Sequence, residues 1–185
     1  FNRRTGENAT REEIVQNCTS PGTPHPWRKL WLDMWDETQR DLIASWRDIV
    51  EAQGSRLGLM SSGMEQHAAE GRDWTLWWDA LASERPPVHR PHYWPYRDSK
   101  GGVLPECIAR LDQNRSIQPA EIASGPEVEC YPYGRWNKAF TQIGAQLALG
   151  HVLGSTELNI SLYDLRGNNP HDEPERAQFL REWHP

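Results

Sequence analysis

The sequence predicts an α/β fold in which parallel strands alternate with helices. Four short runs with strand character begin near residues 56, 87, 127 and 157, and segments with helical periodicity separate them. Parallel strands need long crossover connections, which helices usually supply. Each run is followed by carboxylate, His, Arg, Tyr or Asn side chains, a pattern typical of the functional face of a (β/α) barrel. A complete barrel has eight strands, so four strands predict a half barrel of the TIM-barrel type.

Length and composition indicate one domain. The chain has 185 residues and a formal net charge of −6; residues 1–25 are a polar segment and residues 26–185 carry the β/α repeats. The chain has no basic run that would indicate nucleic acid as a partner. It also has no apolar stretch that approaches the roughly 20 residues of a membrane helix. The widely spaced cysteines, Cys18, Cys107 and Cys130, predict neither a disulfide framework nor a metal site. We therefore expect a cytoplasmic protein without a cofactor.

The N-terminal third predicts a capped helical turn followed by one long helix. In TREEI, Thr10 is the expected cap and Glu13 stands three residues on, as in a capping box. The long helix is predicted over Trp27 to Gln53, and Gly54 is a natural stop. Its apolar residues recur at spacings of three and four. They are Leu30, Trp31, Met34, Trp35, Leu42, Ile43, Trp46, Ile49 and Val50. We interpret this helix as scaffold.

The middle of the chain supplies two strands, each followed by a loop that carries functional groups. Strands are predicted at Arg56 to Ser61 and Pro87 to Tyr93, with a helix at Trp74 to Leu81 between them. Pro91 indicates that regular pairing of the second strand ends nearby. The chemistry-bearing residues of these two segments are Glu65, His67, Arg90, His92, Tyr93, Trp94 and Tyr96. So many rings in one loop favour a ligand pocket over a solvent-facing turn.

The stretch Gly125 to Phe140, GPEVECYPYGRWNKAF, organises the last third. Glu127 to Tyr131 is a predicted strand, on which Glu127 and Glu129 point to the same face. The other helices are predicted at Val103 to Gln113, Asn137 to Leu153 and Pro174 to Trp183, and the last strand at Glu157 to Tyr163. A polar segment that includes Asn168 follows this strand. A carboxylate at the C-terminal end of a parallel strand is where α/β folds place their chemistry.

From about Phe1 to Asn169, the order of elements and the motif PEVECYP resemble the second half of a clan-A glycoside hydrolase barrel, close to bacterial β-galactosidase-like proteins. In that clan the nucleophile is a Glu at the end of the seventh strand, and Glu129 stands at the matching position. RLGLMS, PVHRPHY and LNISLYDLRGN would be strands five, six and eight. The resemblance implies a retaining glycoside hydrolase whose acid/base lies outside this chain. The residues expected to bind the carbohydrate are Arg90, His92, Tyr93, Trp94, Tyr133, Arg135, Asn168, Glu65 and His67.

Other interpretations stay open. The chain can be a non-catalytic sugar-binding or regulatory relative, or a small open-sheet α/β domain that binds another ligand at its strand ends. Glu129 itself can be a structural carboxylate paired with Arg135 or Arg90. Because a half barrel exposes two sheet edges, we also expect self-association or pairing with the missing half of the barrel.

Overall fold

The structure, a computed structural model, describes residues 1–98, 103–131, 133–134, 136–163 and 170–183. Within these ranges the helices are α1 (Asn2–Thr5), α2 (Arg11–Thr19), α3 (Pro26–Ala52), α4 (Met64–Ala69), α5 (Trp74–Leu81), α6 (Val103–Ile117), α7 (Phe140–Val152) and α8 (Pro174–Glu182). The strands are β1 (Gly58–Ser61), β2 (Val88–Pro91), β3 (Ala123–Ser124), β4 (Glu127–Glu129) and β5 (Asn159–Ser161), and a 3₁₀ turn covers Pro170–Asp172.

The strands form two small parallel sheets that follow the order of the chain. β2 lies between β1 and β3, and β4 pairs with β5. A single bridge between His92 and Glu127 connects the two sheets. The predicted parallel α/β organisation is therefore confirmed, and Pro91 does end the regular pairing of β2. The described strands do not close into a barrel.

Two elements differ from the sequence prediction. The charged segment after β1, predicted as a loop, contains the six-residue helix α4. The second element is the two-residue strand β3, which precedes the strand predicted from Glu127 and pairs with β2. Both elements are too short to produce a periodic pattern of apolar residues, because six residues make fewer than two helical turns and two residues make a single alternation.

The N-terminal helices begin and end as their local sequence predicts. Thr10 Oγ1 accepts a hydrogen bond from the Glu13 amide at 3.2 Å, and the Glu13 carboxylate accepts one from the Thr10 amide at 2.8 Å. This reciprocal pair is a capping box. Helix α3 starts at Pro26 and ends just before Gly54, whose φ of 73° lies in the left-handed region that favours glycine. None of the described helices is both long and apolar enough to cross a membrane.

The apolar face predicted for α3 is only partly buried. Ile43 lies in the core, whereas Trp35, Trp46 and Ile49 remain 52%, 52% and 65% exposed. The physical reason is length: α3 has 27 residues, but it packs mainly on α2 and the eight-residue α5. Much of this helix therefore presents large apolar side chains to solvent.

Two apolar clusters form the core between strands and helices. The first consists of Ile43, Met64, Trp74, Trp77, Trp78, Leu81 and Ile122, with Leu59 of β1 packed against it. The second consists of Tyr93, Cys107, Leu111, Val128, Cys130, Ile143, Leu147 and Leu162. All three cysteines are buried free thiols. The clusters use the strand side chains that point toward the helical layer.

Burial alternates along β2 and the residues that continue it. His89, Pro91 and Tyr93 are buried, whereas Arg90 and His92 are half-buried. Successive side chains of a strand point to opposite faces, so these two sets lie on opposite sides of the sheet. The buried set meets the helices, and the half-buried set lies on the other side.

Strand β4 continues this division. Val128 is fully buried among the helices, and its neighbours Glu127 and Glu129 are half-buried. We call the side that carries Arg90, His92, Glu127 and Glu129 the open face. The polar residues of the open face converge at the C-terminal ends of the strands, and the candidate site lies there.

Candidate functional site

A pocket of about 400 Å³, called here the first pocket, opens on the open face beside the C-terminal ends of β1 and β2 and the first residue of β4. Ser61 and Ser62 come from the end of β1, Arg90 and His92 from β2 and its continuation, and Glu127 from β4. Carboxyl ends of parallel strands share one edge of a sheet, which is why residues distant in sequence meet there. The remaining polar or aromatic lining residues are His67, Arg72 and Tyr96.

Glu129 lies beside the first pocket, close to two phenol groups. The Tyr133 hydroxyl donates to Glu129 Oε1. Tyr96 is the second phenol, and burial, followed by the charge of Glu129, raises its pKa. Tyr96 therefore stays protonated at neutral pH. Hydrogen bonds to an ionised acceptor are stronger than neutral ones, so the Tyr133 phenol holds the carboxylate in one position.

The backbone at Tyr133 adopts an uncommon conformation. Its φ is 67°, in the left-handed region that residues other than glycine rarely occupy. This turn brings the ring back toward Glu129, four residues earlier in the chain. Outliers of this kind cluster at functional sites, where the surrounding structure holds them in place. The conformation therefore supports a functional role for the loop after β4.

Arg90 is paired with Glu127 and not with Glu129. The Arg90 guanidinium contacts Glu127 Oε1 across the join between the two sheets. Glu127 thus serves as the charge partner of Arg90, while Glu129 accepts a hydrogen bond from the Tyr133 phenol. The structure therefore contains the Arg90–Glu127 pair in place of the alternative pair between Arg90 and Glu129. Arg135, the other partner considered for Glu129, lies outside the described residues.

His92 stands at the centre of the site. Its ring centroid lies 4.9 Å from that of Tyr96 and 6.1 Å from that of Trp94. Burial, and after it the nearby Arg110, lowers the pKa of His92, while the charge of Glu129 acts in the opposite direction. The imidazole is therefore neutral at pH 7. A neutral imidazole can donate one hydrogen bond and accept another, which suits recognition of a hydroxyl group.

The segment after β1 forms the opposite wall. His67 Nε2 lies 2.7 Å from Ser62 Oγ, and its Nδ1 lies 3.4 Å from Glu70. Glu65 accepts a hydrogen bond of 2.7 Å from Arg110 Nη1, and this contact lowers the pKa of Glu65. Of the predicted residues, His67 therefore lines the first pocket with His92, and Glu65 lies behind it as the partner of Arg110. Both belong to helix α4, which the sequence prediction missed.

Below the pocket, a chain of buried hydrogen bonds locks β1 to β2. His89 Nε2 lies 2.7 Å from Ser61 Oγ, and His89 Nδ1 lies 2.7 Å from Gln118 Oε1. An amide oxygen only accepts, so Nδ1 carries the proton and Nε2 accepts from the Ser61 hydroxyl. Burial lowers the pKa of His89 to about 4, and the ring is neutral in the folded protein. Ser61 is fixed at the pocket floor as a result.

Lys138 is a buried cation that links the two loops of the site. Its Nζ donates to the carbonyl oxygens of Pro95 and Glu129, both at 3.0 Å. Burial lowers the pKa of Lys138, and the nearby carboxylates of Asp98 and Glu129 act in the opposite direction. One ammonium group therefore sets the loop that carries Tyr96 against the strand that carries Glu129.

The structure corrects one predicted residue and leaves two undescribed. Tyr93, expected near Glu129, points into the helical core, and its hydroxyl donates to the Gln146 carbonyl at 3.1 Å. Its position differs by one residue from His92, so the alternation of the strand sends it to the opposite face. Arg135 and Asn168 lie outside the described residues. The structure also brings two further residues to the site. Tyr96 belongs to the ring-rich segment but was not among the residues expected to bind the carbohydrate, and Lys138 was not predicted at all.

The arrangement suits a displacement reaction in which a carboxylate is the attacking group. Glu129 is held rigidly, a neutral imidazole and aromatic rings stand near it, and an arginine–carboxylate pair lies across the same face. Among the described residues, no group of three or more His, Cys, Asp or Glu side chains is placed to hold a metal ion. Comparison of the chain with protein-family models, with curated proteins and with solved structures gave no match.

Proposed function

We propose that this chain carries the nucleophile half of a retaining glycoside hydrolase, with Glu129 as the nucleophile. The single observation that carries the proposal is the setting of Glu129: it ends a parallel strand, accepts a hydrogen bond from Tyr133 and lies close to Tyr96, which lines the first pocket. A carboxylate that attacks an anomeric carbon must be oriented before the reaction, because orientation is a large part of catalysis.

The sheet organisation supports half of a barrel as the fold. The described strands are parallel and run in chain order, and the core clusters lie on their helical side. Parallel sheets are normally covered on both faces. In a (β/α) barrel the second face is the packed interior, to which polar residues at the strand ends contribute the active site. We infer that four further strands, from the missing half or from another copy, cover the open face.

The proposed reaction proceeds in two displacements. Glu129 attacks the anomeric carbon as the bond to the leaving oxygen breaks, and a general acid protonates that oxygen. The same acid group, now a base, removes a proton from water, which releases the sugar from Glu129. Glu127 does not fit the role of general acid, because Arg90 beside it favours the ionised carboxylate. The acid is therefore expected on a strand outside this chain, about 5 Å from Glu129.

Exposed aromatic rings near the site support a carbohydrate as the substrate. Trp136 and Tyr131, in the loop after β4, are 88% and 54% exposed. Trp94 and Tyr96 lie against His92 with their ring centroids 5.5 Å apart. Flat aromatic faces match the apolar faces of pyranose rings, and exposed aromatic residues mark binding surfaces. The assignment to β-galactoside-like sugars rests on the resemblance of PEVECYP and its neighbours to that family.

A second candidate is a non-catalytic sugar-binding relative. One observation favours it: the nearest second carboxylate on the open face, Glu127, is engaged by Arg90. A protein with the same pocket and no general acid would bind sugar without turning it over. The two candidates differ in whether Glu129 forms a covalent bond to the sugar.

Reaction with a 2,4-dinitrophenyl 2-deoxy-2-fluoro-β-galactoside tests the proposal. Dinitrophenolate leaves without protonation, so the nucleophile half can react even without the general acid. Intact mass spectrometry of the 185-residue chain should show one added fluorosugar. The adduct should be absent in Glu129→Gln and present in the matched control Glu127→Gln. A chain that binds galactose but forms no adduct supports the binding relative, and an adduct that persists in Glu129→Gln refutes the assignment of the nucleophile.

A further inference from the structure

A second pocket, of about 640 Å³, lies on the other side of His92. His92 lines both this second pocket and the first pocket. The remaining lining residues are Trp94, Glu106, Ala109, Arg110 and Gln113, of which the last four belong to helix α6. Pockets for small ligands span roughly 300–1,000 Å³, so each cavity is large enough for a ligand group of its own.

The lining of the second pocket has the composition of a sugar subsite. Trp94 supplies a half-buried ring, and Gln113 supplies an amide that can donate and accept hydrogen bonds. Arg110 is held in place, because its Nη1 donates to Glu65 Oε1 at 2.7 Å and to Gln113 Oε1 at 3.2 Å. A guanidinium has five N–H donors in a fixed plane, so a restrained Arg110 presents oriented donors to a ligand.

The charges around this pocket favour a neutral ligand. Arg110 is accompanied by two carboxylates, Glu65 as its ion-pair partner and Glu106 on the pocket wall. An acidic sugar or a phosphate would meet more negative than positive charge here. A polyhydroxyl ring would meet donors and acceptors in similar number, which is the chemistry that hydroxyl groups need.

We propose that the ligand of this protein is an oligosaccharide of at least two neutral sugar units, with His92 between two subsites. One unit occupies the first pocket next to Glu129, and the neighbouring unit lies in the second pocket between Trp94 and the Arg110–Gln113 side of α6. The inference rests on the proposed function, because it identifies the substrate class of the same site. It adds the requirement that binding energy comes from both sides of His92.

Binding measurements on the intact chain test the inference. Isothermal titration compares galactose with β-1,4-galactobiose on the unmodified protein and on the double variant Glu106→Gln, Gln113→Ala. The disaccharide should bind about tenfold more tightly than galactose, a difference of about 1.4 kcal/mol, because its second unit gains hydrogen bonds in the second pocket. The double variant should remove most of this advantage and leave the galactose affinity unchanged. Asp112→Asn, an exposed position of α6 outside the pocket lining, is the matched control.

The possible outcomes separate this inference from the proposed function. Galactose binding with no added affinity for the disaccharide overturns the second subsite and leaves the proposed function standing. Equal weakening of both sugars in the double variant also overturns the subsite, because the effect is then not local to the second pocket. If neither sugar binds, both the proposed function and the inference are wrong. Circular dichroism and the Asp112→Asn control establish that the double variant is folded.

Discussion

His89 makes folding stability depend on pH in a defined window. The folded protein keeps this ring neutral between Ser61 and Gln118, and burial lowers its pKa from 6.5 to about 4. The unfolded chain therefore takes up a proton first as the pH falls. The contribution of neutral His89 to the free energy of unfolding is complete above about pH 6.5 and is lost as the pH falls from there to about 4. A shift of this size corresponds to about 3 kcal/mol in all, of which about 2 kcal/mol is lost by pH 5.

Urea unfolding followed by tryptophan fluorescence measures this loss. The variant His89→Gln keeps a donor toward Gln118 and an acceptor toward Ser61, but it cannot titrate. Its free energy of unfolding should fall by about 2 kcal/mol less than that of the unmodified protein between pH 7.5 and pH 5. His151→Gln, at an exposed position of α7, is the matched control and should keep the full pH dependence. An equal pH dependence in His89→Gln and the unmodified protein would refute this account of His89.

Three further predictions concern α3, the tyrosines and assembly. Asp36→Ala should destabilise the fold by about 3 kcal/mol in urea unfolding, because it leaves the buried Trp77 indole and the half-buried Arg40 guanidinium, 2.7 and 2.8 Å from the carboxylate, without their acceptor. The control Asp33→Ala, at an exposed position, should cost less than about 0.5 kcal/mol. Similar losses in both variants would contradict this network. Tyr133→Phe removes a hydrogen bond to a charged group and should slow fluorosugar labelling by roughly tenfold or more. The control Tyr131→Phe, at an exposed position, should not slow it. Equal labelling rates in the two variants would contradict the role of the Tyr133 phenol. Sedimentation velocity of the isolated chain should show self-association through the exposed side of α3 and the sheet edges, and a monomer that melts cooperatively would contradict the half barrel.

The alternation of side chains along β2 and its continuation predicts which residues face the site. Residues two apart on a strand share a face, so Arg90 and His92 indicate that Tyr96 and not Tyr93 should face the ligand. The structure agrees: Tyr93 is buried among the helices, and Tyr96 lines the first pocket together with Arg90 and His92. The strand period of two is visible in the sequence, and it predicts both the buried position of Tyr93 and the pocket position of Tyr96. The expectation for Tyr93 came from the resemblance to the glycoside hydrolase clan, which does not take this alternation into account.

Other parts of the site depend on contacts that no local pattern encodes. In the sequence, Lys138 is one more polar residue before a helix. Its role depends on Pro95, which is 43 residues away in the chain and supplies one of the two carbonyl groups that its ammonium group contacts. The pairing of Arg110 with Glu65 joins α6 to α4 across 45 residues. Helices, strands and their parallel arrangement were predictable because each rests on periodicity, capping and chain order. Long-range pairing of charges depends on how the elements pack, which the sequence does not state.

Chemical rescue tests the central claim most directly. In Glu129→Gly the attacking carboxylate is removed and a small space remains next to the anomeric carbon. With 2,4-dinitrophenyl β-galactoside and sodium azide, the variant should form α-galactosyl azide, because azide then attacks from the side that Glu129 occupied. The Glu127→Gly variant should give no such product. Formation of the β-azide, or the same product in Glu127→Gly, would contradict Glu129 as the nucleophile of this site.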